Sequence, residues 1–131
     1  MKIPKKIEKR GSVRTQVSIP VKYRVYGEAS KLQKSFVTGH SRDISVGGLK
    51  LAVKDHDPIG TELELEIMLP RALGMHTSAR VIGKVVGLDE WRVDGTVNRF
   101  NRISFVEPDK DAQVLILRLM FELMKQKQSR R

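Results

Sequence analysis

Apolar and polar positions alternate through most of this chain, with the period of two that marks half-buried strands. From Thr15, the residues Val17, Ile19, Val21, Tyr23 and Val25 alternate with Gln16, Ser18, Lys22 and Arg24, which predicts a first strand over 15–25. Pro20 falls on its polar side. A proline gives the ladder no N–H, so an edge position or a bulge is expected there. Gly27 to Lys34 reads as a connection, a second strand is expected near 35–41, and Asp43 to Gly48 should bend into a third strand over 49–53. Lys54 to Gly60 has the composition of a turn. Leu63, Leu65, Ile67 and Leu69 then alternate with Glu62, Glu64, Glu66 and Met68, giving the clearest strand and an acidic solvent face. After a turn at Pro70 to Met75, alternation resumes over 78–86 and again over 96–105, with Trp91 placed by pattern in a loop between them. Short strands at this spacing with no intervening helix predict a closed antiparallel barrel or sandwich.

The pattern changes at the C-terminus. Glu107-Pro108-Asp109-Lys110-Asp111 has the proline and acids of a helix start, and Val114 to Met124 is apolar except for Arg118 and Glu122. This helix should close one mouth of the barrel. Leu115, Ile116, Leu119, Met120, Leu123 and Met124 span more circumference than the stripe of about 100° that one contact needs. The excess predicts a homodimer through the helix. Residues 1–14 form a basic, flexible arm, 15–106 the barrel, and 107–131 the helix with a basic tail, all in one domain.

Charge narrows the partners. Lys and Arg outnumber Asp and Glu by 25 to 15, a net +10, so either the surface is a solvated basic one or the partner is anionic: a nucleotide, a nucleic acid or a membrane surface. Aromatic residues make up only 5%, which disfavours readers of single strands, since these stack bases on several rings. There is no cysteine, which excludes disulfides and thiol catalysis and favours a reducing, cytoplasmic location. No apolar run approaches the ~20 residues of a membrane-spanning helix, and the basic N-terminus lacks the apolar core of a secretory signal.

Two polar clusters carry the candidate chemistry. Arg10-Gly11-Ser12-Val13-Arg14 reads RxxxR, and Asp43-Ile44-Ser45-Val46-Gly47-Gly48 reads DxSxxG. Guanidinium groups fork onto phosphate oxygens, fork onto guanine O6 and N7, and stack on base planes. Residues two apart on an extended segment point the same way, so Asp43 and Ser45 can present a carboxylate and a hydroxyl together to guanine N–H donors; they equally suit the capping of a turn. Gly48, with Gly47, can admit a close backbone approach or a positive φ.

The two motifs, their order and the strand between them resemble the PilZ family, bacterial receptors for cyclic di-GMP. The resemblance runs from about Lys9 to the C-terminal helix. It implies a six- or seven-stranded antiparallel barrel with a C-terminal α-helix, a binding module without catalysis or cofactor, and cyclic di-GMP as ligand. It implies that Arg10 and Arg14 hold the phosphates and the guanine Hoogsteen edge, and that Asp43, Ser45 and Gly48 hold another guanine face. Lys9, just before RxxxR, occupies the position that in the family influences whether one ligand or an intercalated pair binds. Asn101 to Phe105 departs from the family's frequent glycine-containing late strand. The implied output is a rearranged arm offered to a downstream protein of motility, pilus or exopolysaccharide machinery. Two alternatives stand beside it: a basic nucleic-acid-binding barrel of OB type, and a PilZ-fold protein adaptor without ligand.

Other constellations carry little. Asp55-His56-Asp57 is a solvated turn by pattern rather than a metal site, and His40 and His76 show no ligand spacing to it. Nothing resembles a Ser-His-Asp arrangement or a phosphate-cradling GxxxxGK[ST].

Overall fold

The computed structural model describes residues 15–16, 18–27, 35–71, 74–75 and 77–129. Lys9, Arg10 and Arg14 lie outside the described residues. Among the described residues there are seven strands, β1 (Thr15–Gln16), β2 (Pro20–Val25), β3 (Val37–Ser45), β4 (Gly48–Val53), β5 (Glu62–Met68), β6 (Ser78–Val93) and β7 (Thr96–Val106), followed by one helix, α1 (Lys110–Ser129). All pairings are antiparallel, in the order β1-β3-β2-β5-β6-β7-β4, and β4 returns to β3. Of the six or seven strands expected, six close the barrel, and the two-residue β1 is added on β3.

The interior follows from the alternation. Val21, Ile44, Leu49, Leu51, Leu63, Leu65, Ile67, Val85 and Ile103 are buried in one cluster. Each such aliphatic side chain contributes roughly 1.5–3 kcal/mol by leaving water. Helix α1 begins where Asp109 Oδ1 accepts the Ala112 N–H at 2.7 Å, an N-cap bond. It packs on β6 and β3, and Ala112, Ile116, Leu119 and Met120 enter the same core, with Leu115 and Leu123 partly buried against it.

Three expectations need correction. The predicted first strand is two pieces, broken before Pro20, which opens β2 instead of lying inside a strand. At the break the Ile19 N–H donates to Ser41 Oγ (3.1 Å), and the Ser41 N–H donates to the Ile19 carbonyl (2.9 Å), so a side chain replaces a ladder bond. Second, β6 runs sixteen residues, well past 86. It turns through Asp94-Gly95, at φ 50° and 80°, the left-handed pair that a two-residue hairpin requires. Trp91 therefore stands on a strand, not in a loop. Third, five of the six helix residues expected to overfill the barrel mouth do face it; among them only Met124 is exposed.

Candidate functional site

The outer surface of β3, β4, β7 and β6 is organised by two bulges. Between Ser41 and Asp43 the β3 register shifts against β4, and between Val85 and Gly87 the β6 register shifts against β7. An extra residue resets the inside–outside alternation. On β3 it lets Arg42 and Asp43 both lie outside while Ser41 and Ile44 are buried. On β6 it brings Gly87 opposite Arg102, whose guanidinium covers the space that a β-carbon at Gly87 would fill. Across the wall the register then reads Asp43–Lys50–Arg102–Gly87, all on the solvent side.

The next row is aromatic. Phe100 pairs with Ala52 on one side and Asp89 on the other, and Trp91 stacks on it with centroids 4.7 Å apart and planes 25° apart. Phe100 faces outward yet is only 6% exposed, because its neighbours cover it. The Arg42 guanidinium lies 5.4 Å from the Trp91 ring centre and 5.6 Å from that of Phe100, and Lys50 Nζ lies 5.5 Å from Trp91. These are cation–π distances. Asp89 holds the cations in place, 3.1 Å from Lys50 Nζ and 3.6 Å from Arg102 Nε. The wall thus offers three cations and an indole against two carboxylates, a surface suited to a planar, anionic ligand.

The predicted residues fall as follows. Asp43 and Ser45 share the outer side of β3, either side of the buried Ile44. Ser45 is buried, and its hydroxyl donates to the Gly48 carbonyl and accepts the Gly47 N–H, both at 3.3 Å. It locks the hairpin turn that sets Asp43 in register with Lys50. Neither Gly47 nor Gly48 takes a positive φ. At Gly48 a side chain would collide with the Ile103 carbonyl oxygen, so this glycine serves the close approach of β4 to β7. The Gly47 carbonyl accepts the Phe105 N–H at 2.9 Å. Arg42, Lys50, Trp91, Phe100 and Arg102 belong to no motif, and sequence reasoning missed them. The Asp94-Gly95 dipeptide was the available signal, since a hairpin there puts Trp91 on a strand.

The turn expected to be merely solvated buttresses this wall. His56 Nε2 meets the Asp89 carbonyl at 3.0 Å, and Asn101 Nδ2 donates to Asp57 Oδ2 at 3.1 Å. Asn101 is fully buried and its Oδ1 has no partner among the described residues. Burial raises the Asp57 carboxyl above its ordinary pKa, opposed by the Asn101 bond and by His56. Tyr23 is raised as well, by burial first and then by Asp57 and Asp55. Among the described residues no group of three His, Cys, Asp or Glu is placed to hold a metal ion. A cleft of 290 Å³ between β5, the start of β6 and α1 is lined by Glu66, Asp109 and Asp111 with Arg80 alone as cation, which repels phosphate.

Among solved structures, the chain is similar to the PilZ domain of YcgR from Escherichia coli, determined with c-di-GMP, at 13% identity and a TM-score of 0.71, covering 91% of this chain and 94% of that one. MrkH of K. pneumonia in its c-di-GMP complex matches at 14% identity and a TM-score of 0.73 over 92% of this chain and 54% of its own length. The Bacillus subtilis inhibitor of motility MotI/DgrA matches at 20% identity and a TM-score of 0.66, over 92% of this chain and 52% of its own. At these identities the likeness is one of fold. No curated protein matches the chain. The sequence profile of the PilZ domain matches residues 8–122. That span takes in both motifs, every barrel strand and most of α1, and the chain therefore belongs to the PilZ domain family.

Proposed function

We propose that this chain is a cytoplasmic receptor for cyclic di-GMP that binds its ligand across the outer wall of β3, β4, β7 and β6, without catalysis. The observation that carries the reading is the β3 bulge, which sets Arg42 and Asp43 on one side, beside Lys50 and the Trp91–Phe100 stack. Asp43 accepts N–H groups from a guanine edge. Trp91 and Arg42 supply a stacking surface, and Lys50 and Arg102 meet phosphate charge. Chain connectivity supports a contribution from the arm. In β1, Thr15 pairs with Ile44 and Gln16 with Asp43, and Arg14 lies one peptide bond before Thr15, ~3.8 Å between Cα atoms. Arg14 and, four residues upstream, Arg10 then close over the ligand, and the reordered arm alters the surface presented to a downstream protein. Lys9 favours an intercalated ligand pair.

Calorimetry with cyclic di-GMP, GTP and single-stranded DNA at two salt concentrations tests the reading. Saturable binding of cyclic di-GMP is expected. At ~100-fold excess over Kd it stabilises by about 2.7 kcal/mol, on the order of 10 °C in Tm. Arg10→Ala and Arg14→Ala should each weaken binding about 10–100-fold, while Lys5→Ala changes little. A flat melting curve at millimolar cyclic di-GMP sinks the receptor reading in favour of a ligand-free adaptor. Tight, steeply salt-dependent DNA binding sinks it in favour of an OB-like role.

A further inference from the structure

Helix α1 carries apolar residues on two sides, and the barrel uses one. Opposite Ile116 and Leu119, a second stripe faces solvent: Val114 is 62% exposed, Leu117 51%, Phe121 61% and Met124 52%. Their spacing of three, four and three residues keeps all four on one line along the helix, the seam geometry by which one helix packs on another. Scattered exposed apolar residues need no explanation, but a continuous stripe over three turns marks an interaction surface.

Charge decides between occupants. Beside the stripe, on one flank, stand Asp111 near the helix start, Arg118 in the middle and Lys125 near the end. Along its whole length, Lys110–Ser129, the helix holds four basic and two acidic residues, a net +2, with both signs present on the flank beside the stripe. A lipid surface would call for a strongly basic flank instead. A parallel pair would set the two helix dipoles side by side in the same direction, which is unfavourable. An antiparallel pair sets Val114 against Met124 of the second copy and Leu117 against Phe121. It also brings Asp111 of each helix to Lys125 of the other. Within one chain Lys125 lies 3.9 Å from Glu122 and 5.6 Å over the Phe121 ring, both exposed contacts.

We infer that the Val114–Leu117–Phe121–Met124 stripe is a self-association surface on which two copies of this chain pair through antiparallel α1 helices. The energy comes from the apolar stripe, and the charges fix direction. Arg118 meets its own copy at the two-fold axis, the one unfavourable contact. A seam of three turns is small for a stable interface, so the pair forms in about the micromolar range. None of the four stripe residues belongs to the Arg42–Lys50–Trp91–Arg102 wall.

Sedimentation of the full chain from low micromolar to near-millimolar concentration is the test, with thermal melts as the folding control. The expected result is concentration-dependent dimerisation, abolished in Phe121→Glu, a substitution at an exposed position that leaves the melt unchanged. Arg118→Gln should tighten the dimer. Lys125→Asp should weaken it roughly two- to fivefold, and Asp111→Lys with Lys125→Asp should restore it. A wild type that stays monomeric throughout, or a Phe121→Glu variant that still dimerises, overturns the proposal. So does a monomer that instead floats with anionic vesicles in a Phe121-dependent way. Failure of the double exchange to recover overturns the antiparallel arrangement.

Discussion

Two outer walls of one barrel obey the same alternation and end differently. On β5 each acidic residue facing solvent in the strand's interior finds an arginine on the neighbouring strand: Glu64 Oε1 accepts from Arg24 Nε at 2.9 Å, and Glu66 Oε2 from Arg80 Nε at 3.2 Å and from Ser78 Oγ at 3.0 Å. The register between β5 and its neighbours is unbroken, and the charges answer one another residue for residue. On the β3–β4–β7–β6 wall the register is broken twice, cations exceed acids, and an aromatic pair sits in the surface. Regular alternation makes a barrel; the interruptions gather cations and aromatic rings on one outer wall.

The sharpest way to break this contrast is to remove the contact that holds the second wall together. Gly48→Val should destabilise the fold by about 3 kcal/mol, since the Ile103 carbonyl cannot move without opening the β4–β7 ladder. Denaturant unfolding measures it, and a loss below ~1 kcal/mol would show that the wall adjusts freely. Next comes Trp91→Ala, which should weaken cyclic di-GMP binding by about 1–3 kcal/mol in calorimetry, and should lower Tm by several degrees because Phe100 loses its stacking partner. Asp43→Ala should weaken it too, although it makes the protein more positive. Tighter binding by that folded variant would mean that simple charge attraction governs the wall.

Asp57→Asn probes the buttress behind the wall. Burial raises the folded-state pKa of Asp57 above its unfolded value, so its ionised form is a cost present above the folded pKa, relieved as pH falls through it. The amide removes that cost and offers a donor to Asn101 Oδ1. The variant should gain up to about 1 kcal/mol near neutral pH. The advantage should shrink as pH drops through the folded pKa into the ordinary carboxylate range. A pH-independent difference would contradict the assignment. The smallest effect is expected on the regular wall: Glu64→Gln should cost about 0.2–1 kcal/mol, and less in high salt, without altering ligand affinity.

The contrast also explains what could be read from the sequence. The regular parts were legible because side-chain period records burial: Leu63 to Leu69 announces β5, and Asp109 announces the start of α1. The DxSxxG motif located the hairpin. Its Ser45 and Gly48 prove to shape the wall, through a turn lock and a close strand approach. The bulges left no trace, because a register shift depends on the partner strand and not on local pattern. Arg42 reads as one more polar residue, and only the shift beside Asp43 aims it at Trp91. Trp91 itself was misplaced because β6 and β7 run beyond the barrel there, where both sides of the strand meet water and alternation fades. The helix showed its surplus of apolar residues plainly, but the outward share falls on Val114, Leu117 and Phe121 as well as Met124.

One consequence follows from where the indole stands. Trp91 is the chain's single tryptophan, on the wall with Arg42, Lys50 and Phe100, toward the end of β6, whereas α1 borders Ser78 and Arg80 at the strand's start. Its fluorescence thus originates from one location. A purine brought into contact with it should quench the emission by excited-state electron transfer, whereas pairing of two copies through the helix should leave it dark to the event. A single optical channel, read beside a measurement of mass, separates occupancy of the wall from assembly of the chain.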